Sequence, residues 1–182
     1  MTRSEAFELL TNHVASEKMH FHCLASAAVM EALAIKLNQN ADDWYLAGLL
    51  HDLDVEITRD TPSTHGLITV DLLKDKGLNE DILHAIEAHN EIASRFPRTS
   101  LFDHALAAGE TISGLISATA LVYPDKRIAS VKSSSVIKRM KEKNFAASEQ
   151  IENIMEIELC GITLPEFAEL ALVVMKRMEQ PD

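Results

Sequence analysis

At 182 residues the chain can bury one sizeable core, and 47 % apolar with 25 % charged residues is ordinary for a soluble globular protein. A net charge of −11 argues against nonspecific nucleic-acid or anionic-membrane binding, and no apolar run approaches the ~20 residues that span a bilayer. Cys23 and Cys160 offer neither a disulfide framework nor zinc spacing, and the opening MTRSEAFELL lacks the basic stub and apolar stretch of a signal peptide, so a cytoplasmic protein is expected.

The elements are helical in period almost throughout. Thr2-x-x-Glu5 reads as a capping box opening a first helix with the stripe Phe7, Leu10 and Val14. A second runs over roughly 19–37 through CLASAAVMEALAIKL, and Asn40 or Asp42 caps a third, short and apolar, ending at His51-Asp52. Thr61-Pro62 starts a fourth that stops near Gly77, with proline at the first helical position. Asn79 opens a fifth through His89, and Thr99 or Ser100 opens a sixth that reaches about Val122. Two or three more follow, the last introduced by a second capping box, Thr163-x-x-Glu166. There is no convincing alternating strand, no repeat and no low-complexity tract. The expectation is an all-α fold, a single domain over 1–182 with a helical core at about 4–122 and a C-terminal helical extension at about 126–180.

The stretch AGLLHDLDVEITRD, residues 47–60, concentrates the chemistry. A helix that has buried Leu49 and Leu50 ends on His51 and Asp52, with Asp54 and Glu56 at alternate positions beyond. Adjacent residues reach one point only near a helix end, so His51 and Asp52 can present two ligands to one ion. Helical phase sorts the other histidines. His22 shares a face with Ala25, Ser26, Val29 and Leu33, His65 with Ile68, Thr69 and Leu72, and His89 lies beneath Ile82, Ala85 and Ile86. All three point inward. His84 lies about 140° from His89 on the wheel and cannot easily serve the same ion. His13 and His20 read as surface positions, and His104 is ambiguous.

Glu110 emerges among Leu106, Ala107, Ser113 and Gly114, so an inward carboxylate has room beside it. A buried carboxylate must be paired or bound to a cation. Each inward histidine alone is more often a satisfied core residue than a ligand. Several of them beside Asp52 and Glu110 favour a metal, and imidazole with carboxylate suits Zn, Fe, Mn or Ni rather than Ca or Mg. Asp54 reads as orienting a histidine or water, and Glu56 as solvent-exposed. Between Lys126 and Lys143 lie seven of the seventeen Lys and Arg residues, opposed only by Glu142. Such a run is usually a solvated face; in a chain this acidic it is also the place to meet an anionic group.

His22, then His51-Asp52 at a helix end, then an acid late in a long helix resemble the HD-domain metal-dependent phosphohydrolases. The phrases LAGLLHDLDVE, HGLITVDLL, AIEAHNE, ALAAGETISGLISA and PDKRIASVKSSSVIKRMKEKNFAA look like one HD-hydrolase subgroup, over about Ser4 to Leu172. The resemblance implies that His22, His51, Asp52 and the late acid, here Glu110, ligate one metal, and that His65 and His89 bind a second ion where there is one. The family's late acid is normally aspartate; glutamate carries its carboxylate about 1.5 Å further out. Asp103, two turns earlier on the same face, is the fallback.

The implied cofactor is a divalent transition metal, one or two ions of Fe, Mn, Zn, Co or Ni. The implied function is hydrolysis of a small phosphorylated metabolite or nucleotide by a metal-activated water. Asp52 and Asp54 are the expected catalytic acids, and Lys126, Lys132 and Lys143 the residues expected to hold substrate oxygens. A dinuclear iron oxygenase would use the same ligands, and a non-catalytic metal-binding module is the remaining alternative. The expected partner is a small anionic substrate, without nucleic acid or membrane.

Overall fold

A computed structural model describes residues 1–94, 96–142 and 151–179. The described residues form helices and turns, and the all-α expectation holds. Helix α1 spans Arg3–His13, α2 Glu17–Lys36, α3 Ala41–Leu50, α4 Leu67–Leu73, α5 Glu80–Ala88 and α6 Leu101–Leu121. After a 3-10 turn at Ile128–Ser130 come α7, Ser133–Met140, and α8, Ile151–Met155; a further 3-10 segment, Glu156–Cys160, leads to α9, Leu164–Met178.

Local chemistry explains most boundaries. Thr2 and Glu5 form the reciprocal capping box, Asn40 caps α3 through its side-chain oxygen, Asn79 caps α5, and Ser100 with Asp103 boxes α6. Three expectations need correction. Phe7 is 41 % exposed, and Ala6 joins Leu10 and Val14 in the core instead. Thr163 makes no side-chain cap, and Glu166 pairs with Lys36 Nζ at 2.6 Å. The helix expected from Thr61 to Gly77 is broken: a 3-10 turn at Pro62–Thr64 gives way to extended His65 and to Gly66 at φ 89°, before α4 begins. That positive φ is open to glycine at little strain.

Helix α2 is the axis of the fold, packed against α3, α6 and α9. Its contact with α3 needs a glycine. A Cβ on Gly48 would lie 2.7 Å from the Ala27 Cα, so the two backbones touch there, three residues before His51. Leu33, Leu49, Leu50, Ile86, Leu106 and Ile112 fill the space between these helices without exposure. Phe167, Ala168, Ala171 and Met175 of α9 belong to the same buried cluster.

Candidate metal centre

Four separate stretches deliver side chains to one point. Leu49 and Leu50 are fully buried and fix the end of α3, where His51 continues in helical conformation (φ −58°, ψ −30°). His22 comes from the face of α2 that carries Ala25, Ser26 and Val29, all buried. His89 follows directly on α5, and His65 enters from the irregular segment before α4.

Asp52 lies between them. Its Oδ2 is 3.4 Å from His51 Nε2 and 3.6 Å from His22 Nε2, while Oδ1 is 3.1 Å from His65 Nε2 and 3.7 Å from His89 Nε2. The carboxylate thus faces two pairs of imidazoles, one with each oxygen. Two groups with ligand spacing result, His22–His51–Asp52 and Asp52–His65–His89.

The outer nitrogens decide what the inner ones can do. His51 Nδ1 is 2.9 Å from Gly48 O, and His89 Nδ1 is 2.5 Å from Ile86 O. A carbonyl only accepts, so both protons sit on Nδ1 and Nε2 is left as a lone pair. His65 Nδ1 lies 2.7 Å from Asp54 Oδ1, and His22 Nδ1 lies 3.2 Å from Ser113 Oγ, whose own hydrogen goes to Glu110 O at 2.8 Å. All four Nε2 atoms therefore face Asp52, those of His51 and His89 with their lone pairs. His51 Nε2 is buried without any hydrogen-bond partner, and His65 Nε2 stands 3.1 Å from His89 Nε2. Imidazoles tethered at Nδ1 around a shared carboxylate are the donor set of a transition metal.

The electrostatics agree. Burial drives His51 down to about 3 despite Asp52, so its ring stays neutral. Burial also opposes charge on His65, yet the hydrogen bonds to Asp52 and Asp54 raise it to about 10. Against its own burial, Asp52 is held well below the carboxylate range by the surrounding histidines. A proton at His65 answers the negative charge that a metal cation would answer.

Asp54 is fully buried, accepting from His65 Nδ1 and from the backbone N–H groups of Gly66 (2.8 Å) and Thr69 (3.0 Å). It orients His65 and does not face the cluster centre. Glu110 stands one step out. Its Oε2 is 4.0 Å from His22 Nε2, its Oε1 accepts from Thr111 Oγ1 at 2.5 Å, and burial raises its pKa. Asp103 is engaged elsewhere, accepting from Thr99 N, Ser100 N and His84 Nδ1, so His84 stays outside the cluster too.

Lys126 and Lys132 lie beyond the end of α6, which itself runs about 17 Å past Glu110, and neither contacts the cluster among the described residues. Lys143 lies outside the described residues. Glu56 is not the exposed residue expected; it is half-buried and accepts from Ala15 N and Ser16 N at the start of α2.

Two features escape sequence reasoning. A groove of about 260 Å³ beside His22, between the start of α2 and the second half of α6, is lined by Lys18, Phe21, Gly114, Ser117 and Leu121. Arg98, 3 % exposed, donates to the carbonyl of His89. Lys18 sits on a recognisable helix, but only the packing of α2 on α6 makes it a neighbour of the site. Arg98 falls in a loop without periodicity and carries no local signal.

With this geometry in view, the profile of the HD domain matches residues 20–118. The chain belongs to the HD domain family. It resembles Ribonuclease Y of Nitratidesulfovibrio vulgaris strain DP4, at 34 % identity over 99 residues, 54 % of this chain and 18 % of the relative. Ribonuclease Y of Frankia alni is 36 % identical over 94 residues, 51 % of this chain and 12 % of the relative. That of Thermobifida fusca is 29 % identical over 139 residues, 75 % of this chain and 26 % of the relative. The chain therefore matches only about a quarter or less of the length of these relatives.

These relatives overturn the expectation that nucleic acid is excluded, since their name is that of an RNA-cleaving enzyme. The expectation rested on the charge of −11, which is a whole-chain sum. Such a sum governs nonspecific attraction and says little about the surface beside one site. No helix among the described residues is long and apolar enough to cross a membrane.

Proposed function

We propose that the chain is a metal-dependent hydrolase of phosphate esters, with the phosphodiester of RNA as its substrate class. One observation carries this reading: Asp52 stands between two pairs of imidazoles whose Nε2 atoms all face it. His22, His51, Asp52 and Glu110 would hold one ion, and Asp52, His65 and His89 a second. Divalent ions bound there supply a Lewis acid for a phosphoryl oxygen and an acidified water.

The residues of the chain supply position. Asp54 and Ser113 fix the rings of His65 and His22 through Nδ1, and the carbonyls of Gly48 and Ile86 do the same for His51 and His89. The groove beside His22 offers the Phe21 ring for a base and the Lys18 ammonium for a phosphate oxygen. The names of the relatives support RNA as the substrate class. The buried, unpaired Cys23 and Cys160 support a reducing compartment, the cytoplasm. The burial of Phe167 and Met175 with α2 and α6 supports one domain over 1–182.

The test is metal content after purification and dialysis, followed by hydrolysis of a 5′-labelled oligoribonucleotide, a generic phosphodiester and a phosphomonoester with Mn, Fe, Co, Ni or Zn. Expected is metal-dependent cleavage of both diesters, abolished in His51→Ala. A metal-free, inactive wild type would sink the reading. Oxygen consumption by the iron-loaded protein without ester cleavage would replace it with the oxygenase.

A further inference from the structure

The metal ligand His89 is the first residue past α5, at a helix end whose last carbonyls have no partners within the helix. Arg98 covers that end. Its Nη1 donates to Ala88 O at 3.1 Å and to His89 O at 3.3 Å. The guanidinium is 3 % exposed, and such a charge is tolerable only when paired. The pairing comes from the far end of the chain. Glu156 accepts from Arg98 Nε through both oxygens, at 3.0 and 2.9 Å, and from Nη2 at 2.5 Å; Asn153 Oδ1 accepts from Nη2 at 2.8 Å. Glu156 also takes His104 Nδ1 of α6 at 2.6 Å, and exposed Glu91 lies 2.7 Å from Arg98 Nη2, sharing its hydrogens. Asn153 and Glu156 both lie beyond residues 20–118, the part that matches the family.

We propose that Asn153 and Glu156 belong to the metal centre as positioning residues, holding His89 through Arg98 and so setting the affinity of the ion between His65 and His89. The inference rests on the reading that these two histidines hold an ion. Its geometry is continuous. The His89 ring is aligned by its Nδ1–H to Ile86 O at 2.5 Å, within the same last turn whose following carbonyls Arg98 clamps. Loosening the clamp moves that turn, and a ligand set tolerates only about 0.5 Å of displacement. His22 and His51 are fixed from α2 and α3 and owe Arg98 nothing.

The experiment uses the full chain and titrates Mn2+ against a competing indicator to obtain two stepwise constants. Glu156→Gln removes the charge while keeping the shape. Arg98→Lys keeps the charge but cannot span two carbonyls and a carboxylate together. Both are measured, so a poorly folding one leaves the other, and urea midpoints in chelator record stability separately. Expected in each is a ~10-fold or greater weakening of one ion with the other unchanged, as for losses of residues that orient a ligand. In a His89→Ala background, Glu156→Gln should leave the remaining ion unaffected. Equal weakening of both ions, or two unchanged constants beside a lowered urea midpoint, overturns the proposal and leaves Arg98 a fold-stabilising residue. A wild type that takes up fewer than two ions overturns the two-ion reading, and this proposal with it.

Discussion

The cluster around Asp52 and the cluster around Arg98 both bring histidine and carboxylate together at a largely buried centre, and they are completed in opposite ways. At Arg98 each guanidinium nitrogen has an acceptor, and Glu156 answers its charge. At Asp52 the rings are tethered from outside and turn Nε2 inward, so that His51 Nε2 has no hydrogen-bond partner and His65 faces His89. Residue type alone does not separate a metal centre from an ion-paired core. The convergence of several Nε2 atoms on one carboxylate does, because a neutral ring that donates from Nδ1 to a carbonyl has no proton left for its neighbours.

The broadest test of that contrast is chelation, which acts on one cluster and not the other. Metal bound at a hundred times its dissociation constant contributes about 2.7 kcal/mol to stability. In a chain of this length that is a melting temperature lower by roughly 5–10 °C in chelator, restored when metal is returned. The Arg98→Lys variant, with one ion weakened, should show a smaller chelator-dependent shift about a lower baseline. An unchanged melting curve in protein shown to have lost its metal would put the Asp52 cluster in the same class as the Arg98 cluster.

Next in size is the loss of a single ion. His89→Ala should release the ion shared with His65, whereas His84→Ala, whose ring is tied to Asp103 and 40 % exposed, should keep full metal content. Elemental analysis after desalting decides between them. Metal lost from the His84 variant and retained by the His89 variant would reverse the assignment.

How far the sequence reaches can be seen on the same residues. His22 and His89 sit on or beside regular helices, so counting by 3.6 places them on faces that are in fact buried, and the caps at Thr2, Asn40, Asn79 and Ser100 mark where those helices start. His65 reaches the cluster by a different route from the helical face assigned to it. It is extended (φ −64°, ψ 130°), and its ring is held by Asp54, while Gly66 breaks the pattern that suggested a helix. Glu56 caps the start of a helix some forty residues back in the chain, and Arg98 pairs with Glu156 some sixty residues on. Contacts of that span leave no period to count. The family phrases around His51-Asp52 carried the fold and the ion-binding chemistry, and no local pattern carried the supports behind it.

A smaller change weakens one ion without removing it. Glu110 stands 4.0 Å from His22 Nε2 and is the acid nearest that side of the cluster besides Asp52. Glu110→Gln should lower metal affinity by ~10-fold, and Glu110→Asp by less, since it restores the family's usual residue. Asp103→Asn should leave the metal constants alone and lower stability by about 1 kcal/mol, because Asp103 serves the start of α6. Stepwise metal titration with a urea melt on all three variants separates these outcomes. An empty Asp103→Asn site beside a loaded Glu110→Gln site would make Asp103 the late acid.

The smallest expected effect is a difference in acid sensitivity. Protons compete with metal for the imidazole nitrogens, so the Asp52 cluster should lose its ions as pH falls from neutrality. Glu156 behaves otherwise. Burial opposes its charge, but the hydrogen bonds from Arg98 and His104 hold it below the ordinary value of 4.5. A carboxylate lowered in the folded state contributes stability that is present above the unfolded value and lost as pH falls through the folded one. The Arg98 cluster should therefore stay intact while the metal leaves and begin to fail only below pH 4.5. Urea midpoints from pH 7 to 3.5, with and without chelator, resolve the two steps. The chelator effect should vanish first, and the residual stability should then fall more steeply in wild type than in Glu156→Gln, which has no proton to take up. A single step at one pH in both proteins would mean that the clusters rise and fall together, and that the contrast between them has no consequence for stability.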